Sequence, residues 1–288
     1  MSNLAKQILN VFKLRIGVVI ALTALTGFAI APGPDAPAWK AALIGIAVLL
    51  SAAAAGAFNQ YVERDIDVKM ARTRNRPFVT GTLKHGPAWL WLIGGMVAAS
   101  TLATAWALNV MSALYVFLGA FFYAIVYTVW LKRRTWLNIV IGGLAGSFAV
   151  LAGAAAVNPQ LDAMSWSWAL VLFLWTPPHF WSLAIARKDD YTAAGVPMLP
   201  VVIGTPAAAR VILANTVALV AASLLPAWYG AGPVYVAGAV IGGAYFLDKS
   251  MRLARHPDTA SAMSNFHASL IQLTLLIVVA IIDAVWLR

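Results

Sequence analysis

The strongest constraint on this chain is a series of long apolar segments with very few charged residues. A helix needs about 20 mostly apolar residues to cross the roughly 30 Å hydrocarbon core of a bilayer, because each residue adds about 1.5 Å. The sequence has nine such segments. They lie at residues 14–32, 40–60, 88–108, 111–131, 137–157, 166–186, 209–228, 232–247 and 268–287. We therefore predict an all-α polytopic membrane protein, with nine transmembrane helices in one domain over residues 1–288, in contact with the lipid bilayer.

Composition excludes several other classes of protein. Of the residues, 62% are hydrophobic and 10% are charged, whereas about 25% are charged in a typical soluble domain. An ordinary soluble enzyme, a disordered chain and a nucleic-acid-binding module are therefore excluded, although the net charge is +10. The chain has no cysteine, which rules out disulfides, thiolate metal sites and cysteine nucleophiles.

The distribution of Lys and Arg predicts the orientation in the membrane. Of the 20 Lys and Arg residues, Lys40 and Arg288 fall on one side, which leaves 18 on the side of the N-terminus. Cytoplasmic loops carry such an excess of positive residues. We predict a cytoplasmic N-terminus and an outside C-terminus, in the cell (inner) membrane. Most of these basic residues are expected to set topology and to contact anionic headgroups.

A first acidic cluster follows the segment 40–60. Asn59, Glu63 and Asp67 are spaced by four residues, so they share one face if the helix continues. Their amide and carboxylate oxygens are hard ligands suited to Mg²⁺. Ionisable residues at the membrane boundary normally face a bundle interior or a wet cavity. Asp65 is offset from this face, and we expect it to pair with a nearby Lys or Arg.

A second cluster, Arg187-Lys188-Asp189-Asp190, ends the segment 166–186. The segments 40–60 and 166–186 run in the same direction, four spans apart, so both clusters reach one membrane face. Together they predict a site for a metal-bridged polyphosphate: carboxylates bind Mg²⁺, and basic side chains bind the remaining phosphate oxygens. The simpler alternative is two solvated helix ends, whose isolated salt bridges would each contribute about 0–1 kcal/mol.

At these residues the sequence resembles the UbiA-type intramembrane prenyltransferases. The shared motif is an Asn with acids four and eight residues later, followed by an Arg-x-x-Asn-Arg-Pro stretch at residues 72–77. Within that superfamily the chain resembles the branch that farnesylates heme. The stretches that carry this resemblance are residues 64–77, 127–135, 138–143, 175–181 and 190–200.

The resemblance implies a nine-helix bundle with a central lateral cavity and an Mg²⁺-diphosphate site at its cytoplasmic end. It implies transfer of farnesyl from farnesyl diphosphate to a vinyl group of heme b, with addition of water. The products would be heme O, used in heme-copper oxidase biogenesis, and diphosphate. A heme A synthase would then receive the heme product, and no nucleic acid is implied as a partner.

The resemblance also implies roles for individual residues. Metal binding, directly or through water, is assigned to Asn59, Glu63, Asp67, Asp189 and Asp190, of which Asn59, Glu63, Asp67 and Asp190 form the predicted catalytic set. Diphosphate binding is assigned to Arg72, Arg76, Lys132 and Lys188, with Arg64 and Arg187 as further candidates. The choice between Asp189 and Asp190 as metal ligand stays open.

The predicted pocket for the heme or the prenyl chain is lined by His179, Tyr123, Tyr127, Phe180 and Trp181. Aromatic faces stabilise cations, although aromatic residues in membrane helices more often serve as interface anchors or packing. For His179 three roles stay open. Its imidazole ligates heme iron, hydrogen-bonds a heme propionate, or bonds a neighbouring helix.

Two departures from the family pattern matter. Glu63 stands where the family usually has Asp, and its longer side chain should still reach a metal. His179 and Ala186 stand where quinone-type relatives place further acids, which leaves Asp189 and Asp190 as the carboxylates of the second cluster. The His in Pro-Pro-His-Phe fits the heme-using branch.

Three alternatives remain at the level of sequence. The first is a prenyltransferase with another aromatic or tetrapyrrole acceptor. The second is a transporter or channel, which also carries intramembrane acids and internal repeats, although the acids here gather at one face. The third is an assembly scaffold, which would not need paired metal motifs.

Overall fold

A computed structural model of the chain describes residues 3–33 and 36–286, and these residues form helices and no strand. Each of the nine apolar segments is helical there, so the predicted all-α class is confirmed. We name the long helices α1 Leu14–Ile30, α2 Ala38–Val62, α3 Ala88–Ala107, α4 Val110–Leu131, α5 Asn138–Val157, α6 Ala163–Ala186, α7 Thr205–Ala222, α8 Pro233–Arg255 and α9 Thr259–Trp286. Shorter helices span Asn3–Val11, Arg64–Asp67, Pro77–Thr80, Lys188–Ala193, Leu199–Val202 and Leu225–Trp228.

In the part of the chain that the structure describes, seven helices are long and apolar enough to cross a membrane, by length and composition. The two others are α1 and α8. Helix α1 has 17 residues and therefore a length of about 25 Å, which is short of the hydrocarbon core. Helix α8 has 23 residues, but its last two turns carry Asp248, Lys249, Arg252 and Arg255.

Several predicted boundaries are wrong. The seventh helix differs at both ends, since α7 spans Thr205–Ala222 rather than 209–228. The first helix ends at Ile30 rather than at residue 32, the eighth continues to Arg255 rather than 247, and the ninth begins at Thr259 rather than 268. Hydropathy marks the apolar part of a helix, whereas the backbone hydrogen bonds of α8 and α9 continue into polar residues. The predicted end of the ninth helix at residue 287 and the outside residue Arg288 lie beyond the described residues.

Helices α1 and α5 approach each other closely because small residues line their contact. A Cβ added at Gly27 would collide with the carbonyl oxygen of Val150, and one added at Gly153 would collide with that of Ala24. Small residues let helix backbones approach in this way in membrane proteins. Helix α1 is thus packed directly against α5.

The two acidic clusters lie at the same end of the bundle, and we call it the motif end. A buried cluster there joins Ile66 and Met70, which follow α2, to Trp181 and Ile185 of α6 and to Ile212 of α7. Residues from the start of α5, the end of α8 and the start of α9 complete the same cluster: Ile139, Leu253 and Ala262. Elements that are distant in sequence therefore meet at the motif end.

Candidate active site

Asn59, Glu63 and Asp67 lie one helical turn apart at the end of α2. The helix itself ends at Val62, but the amide of Glu63 donates to Asn59 O at 3.0 Å and that of Asp67 donates to Glu63 O at 2.8 Å. The i to i−4 pattern therefore continues through the break. All three side chains are buried.

Each of the two carboxylates forms an ion pair with one basic side chain. Lys132 Nζ donates to both Oε1 and Oε2 of Glu63 at 2.6 Å. Arg76 donates to Oδ2 of Asp67, also at 2.6 Å. Burial raises the pKa of Asp67, and the adjacent Arg76 opposes that change. Since buried charges are stable only when paired, these cations fix the carboxylates in position.

A further lysine, which was not predicted from the sequence, lies in this site. Lys13 Nζ donates to Oδ1 of Asn59 at 2.6 Å and to the hydroxyl of Tyr123 at 3.3 Å. Its backbone is left-handed, with φ 48°, directly before α1. Burial lowers the pKa of Lys13 to about 7, and the charge of Arg76 adds to the effect. A lysine before an apolar helix normally signals topology, so its position gave no sign of this role.

Helix α4 contributes two tyrosines and a threonine through a π-helical segment, Phe122–Leu131. Tyr123 and Tyr127 stack with ring centroids 5.6 Å apart, and Lys132 Nζ lies 5.7 Å from the Tyr127 ring centre. Asn59 donates to the hydroxyl of Thr128 at 3.1 Å. π-Helical turns are rare and often found at functional sites. Both tyrosines were predicted for the pocket from the sequence, but the π-helix was not.

The second cluster reaches the first through the backbone. Asp190 Oδ1 accepts a hydrogen bond from the amide of Ala71 at 3.0 Å. The Asp189 carboxylate is exposed and bonds no described residue. Arg187 is also exposed, and Lys188 is half-buried. The structure thus joins the two loops but leaves the carboxylates of the second cluster nearer to solvent.

The remaining predicted phosphate-binding residues divide between two locations. Arg72 is exposed on the loop that also carries Arg76. Arg64 lines a separate groove with Asp65 and Arg133. Arg133 donates to both oxygens of Asp65 at 2.7 Å, which confirms the predicted pairing of Asp65 and lowers its pKa.

The donor set of the first cluster fits a hard divalent cation. It offers the amide oxygen of Asn59 and the carboxylates of Glu63 and Asp67, and Oδ1 of Asp67 is buried with no hydrogen-bond partner. Oxygen ligands of this kind suit Mg²⁺. Within residues 3–33 and 36–286, however, no three His, Asp or Glu side chains are close enough to form a metal site. A complete coordination shell would therefore need Asp189 or Asp190 to move closer, or phosphate oxygens.

His179 is a buried residue of α6 that packs against α9. Its ring stacks on Trp175 and Phe266, with centroids 4.3 and 4.4 Å away. Its Nδ1 is 2.7 Å from the Ser269 hydroxyl, which itself donates to Phe266 O. Ser269 therefore accepts from Nδ1–H, so Nε2 of a neutral ring is an acceptor. No residue in the described part of the chain bonds Nε2.

The two other aromatic residues of α6 predicted for the pocket, Phe180 and Trp181, differ in burial. Phe180 is half-buried and contacts the His179 ring edge-on at 4.9 Å. Trp181 is buried in the cluster at the motif end, and its Nε1 has no hydrogen-bond partner.

Comparison with known proteins identifies the class. The UbiA prenyltransferase family matches residues 20–276, and the chain belongs to this family. A solved structure of digeranylgeranylglyceryl phosphate synthase superposes with a TM-score of 0.80 at 17% identity, covering 98% of both chains. A UbiA homologue from Archaeoglobus fulgidus bound to DMAPP and Mg²⁺ gives 0.71 at 15% identity, covering 94% of this chain and 99% of that chain. At such low identity these two structures show the shared fold alone.

Relatives with higher sequence identity indicate a narrower group within the family. Protoheme IX farnesyltransferase 2 of Paramagnetospirillum magneticum is 62% identical over 282 residues, which cover 96% of each chain. Protoheme IX farnesyltransferase 1 of the same organism is 49% identical, covering 98% of this chain and 99% of that relative. The predicted membership of the UbiA-type prenyltransferases, within the branch that farnesylates heme, is confirmed.

Proposed function

We propose that this chain is a heme O synthase, which transfers farnesyl from farnesyl diphosphate to a vinyl group of heme b with addition of water. The observation that carries the proposal is the buried set Asn59, Glu63 and Asp67. Each of these side chains bonds a different basic side chain, near the place where Asp190 of the second cluster accepts a hydrogen bond from Ala71. The names of the two relatives support farnesyl as donor and protoheme as acceptor.

Cleavage of the allylic carbon–oxygen bond places negative charge on the leaving diphosphate. Lys132, Arg76 and Lys13 are positioned for that charge, because they already surround Asn59, Glu63 and Asp67. Preorganised cations in a water-poor site stabilise a developing anion more strongly than mobile water does. Arg72, Lys188 and Arg187, from the exposed parts of the two loops, would bind the outer phosphate oxygens.

Asn59, Glu63 and Asp67, together with Asp189 or Asp190, would hold the divalent cation. Mg²⁺, when bound, would neutralise diphosphate oxygens as a Lewis acid. The half-buried Asp190 fits this role, because its side chain is held by one hydrogen bond, from the amide of Ala71, and can change partner.

The aromatic residues would protect the farnesyl cation and orient the heme. The stacked faces of Tyr123 and Tyr127 border the cationic site, and aromatic faces stabilise carbocations as they do other cations. His179 presents an acceptor nitrogen inside the bundle, with its ring orientation fixed by Ser269. Phe180 extends the same surface. In this proposal His179 contacts the heme, through the iron or a polar substituent.

The fold proposal has four parts: nine spans in one domain, a cytoplasmic N-terminus, an outside C-terminus and an active site on the cytoplasmic face of the inner membrane. The absence of cysteine allows a direct test. A single Cys at Lys84, in the loop before α3, should react with a membrane-impermeant maleimide only after spheroplasts are opened. A Cys at Gln160, in the loop before α6, should react in intact spheroplasts. The reverse result would contradict the orientation.

Activity is tested on purified protein in detergent with heme b, farnesyl diphosphate and Mg²⁺. We expect hydroxyethylfarnesyl heme by chromatography and mass spectrometry, and none after EDTA. Asp67→Asn should lower the rate at least about 100-fold, as for loss of a group that stabilises transition-state charge. Asp248→Asn is the matched control, since this carboxylate is also paired with an arginine but is exposed on α8.

Three outcomes separate the alternatives. If farnesyl diphosphate is consumed in a metal-dependent way without a heme product, the chain is still a prenyltransferase. Heme is then excluded as the acceptor, in favour of another aromatic or tetrapyrrole ring. Product formation that survives Asp67→Asn would remove the proposed site. No turnover despite bound heme would favour a carrier. Stimulation by a heme A synthase would indicate that the product is handed over to that enzyme.

A further inference from the structure

A groove on the outside of the bundle, between the ends of α2 and α4, suggests a second site that binds an anion. Its volume is about 520 Å³. Arg64, Asp65 and His85 line it from the loop after α2, and Arg133 lines it from the end of α4. Glu63, Asp67, Arg76 and Lys132 do not line it. The groove is therefore distinct from the proposed active site.

The groove has an excess of positive charge. Arg133 is paired with Asp65 through two hydrogen bonds of 2.7 Å. The guanidinium of Arg64, by contrast, makes no hydrogen bond or ion pair with any residue in the described ranges. His85 stacks on Tyr61 at 3.9 Å and its Nε2 bonds Tyr61 O at 3.2 Å, which holds its ring at the edge of the groove. Two arginines thus face one carboxylate, and one guanidinium is unpaired.

The groove continues into an apolar strip along α4. Phe117, Phe121, Ile125 and Val129 follow one another at intervals of four residues, and all four are exposed on the bundle surface. Val129 is the last residue of this strip and also lines the groove. A cationic pocket at the end of an exposed apolar strip on a membrane helix matches the shape of a phospholipid, with a charged head and apolar chains.

We propose that this groove binds the phosphate of an anionic phospholipid. Arg64 and Arg133 contact the phosphate, His85 borders it, and an acyl chain lies along the strip from Val129 to Phe117. A soluble anion would gain nothing from the strip, and a zwitterionic lipid would bring its own cation close to the unpaired arginine. The groove adjoins the proposed active site through one residue: Thr128 lines the groove and accepts a hydrogen bond from Asn59.

Native mass spectrometry of the purified full chain tests the proposal by titration with phosphatidylglycerol and with phosphatidylcholine of the same acyl chains. We expect tighter binding of phosphatidylglycerol. Arg64→Gln should weaken it about fivefold, the effect of one basic residue near an anionic headgroup, whereas Arg64→Lys should bind within about twofold of wild type. Arg133→Gln should weaken it further, because Asp65 would then be unpaired beside the phosphate.

Arg210→Gln is the matched control. Arg210 is exposed on α7 at the motif end, where Ala208 and Ala209 pack in the cluster with Ile66. Equal affinity of Arg64→Gln and Arg210→Gln for phosphatidylglycerol would overturn the proposal, as would equal affinity of the wild type for both lipids. Glycerol 1-phosphate that binds the groove as tightly as the lipid would overturn the role of the acyl chain. Displacement of the lipid by magnesium pyrophosphate would assign Arg64 to the substrate site instead. Circular dichroism of each variant checks that it is folded.

Discussion

The two acidic clusters lie together at the motif end but hold their carboxylates in different ways. Glu63 and Asp67 are buried and each bonds a cation from another part of the chain. Asp189 and Asp190 lie nearer to solvent, and a single backbone hydrogen bond, from Ala71 to Asp190, links them to the first loop. The motif end therefore holds one rigid set of carboxylate oxygens and one adaptable set. In the proposed function, the rigid set would hold the metal and the diphosphate in place, and the adaptable set would move toward them.

The largest expected difference between the clusters is in stability. Lys132→Met removes the group that donates to both oxygens of Glu63 and leaves a buried carboxylate uncompensated. We expect the free energy of unfolding to fall by about 3–5 kcal/mol. Asp189→Asn, in the exposed cluster, should change it by less than about 0.5 kcal/mol. Denaturant unfolding in detergent, followed by far-UV circular dichroism, measures both.

A double variant identifies the cause of that loss. Glu63→Leu combined with Lys132→Met removes both charges, so most of the lost stability should return, although prenyl transfer should not. If the double variant is as unstable as Lys132→Met, the cost comes from packing around Lys132 and not from an unpaired carboxylate. If Lys132→Met is as stable as the wild type, the rigid character of the first cluster is wrong.

An intermediate effect is expected at the link between the two clusters. Asp190→Ala removes the acceptor for the amide of Ala71, and loss of one such hydrogen bond costs about 1 kcal/mol. The amide of Ala71 should then exchange with solvent about fivefold faster, measured by hydrogen–deuterium exchange of a peptide that contains it. Asp190→Asn keeps an oxygen at Oδ1 and should preserve the protection. Unchanged exchange in Asp190→Ala would mean that other contacts hold the loops together.

The smallest effect is expected for the exposed pair of the first cluster. Arg133 lowers the pKa of Asp65 in the folded protein, so the pair adds stability at neutral pH, by about 0–1 kcal/mol since water screens it. That contribution is lost as the pH falls from the ordinary aspartate pKa, about 3.9, through the lowered folded value. The difference in unfolding free energy between wild type and Asp65→Asn should therefore shrink toward zero in acid. A difference that grows as the pH falls would contradict this sign.

Much of the architecture could be predicted from sequence because lipid imposes strict rules on a chain. Buried backbone groups must bond within their own helix, so each apolar segment of sufficient length had to be a helix, and the all-α class was confirmed. The start of the ninth helix was predicted nine residues late. Thr259 to His267 is too polar to signal a span, yet it packs as helix through Ala262 and Asn265.

The sequence determined which residues were candidates for the site, because the spacing of four residues between Asn59, Glu63 and Asp67 places them one turn apart wherever the helical hydrogen-bond pattern continues. The pairing of Asp65 was also predictable, since an exposed carboxylate beside many cations finds one. Spacing along the chain does not determine which distant side chain fills a buried position. The partnership of Glu63 with Lys132, the approach of Lys13 to Asn59 and the π-helical turn that aligns Thr128 with Asn59 were decided by tertiary packing alone. The physical reason is that a buried charge accepts whichever partner the packed helices bring within hydrogen-bond distance.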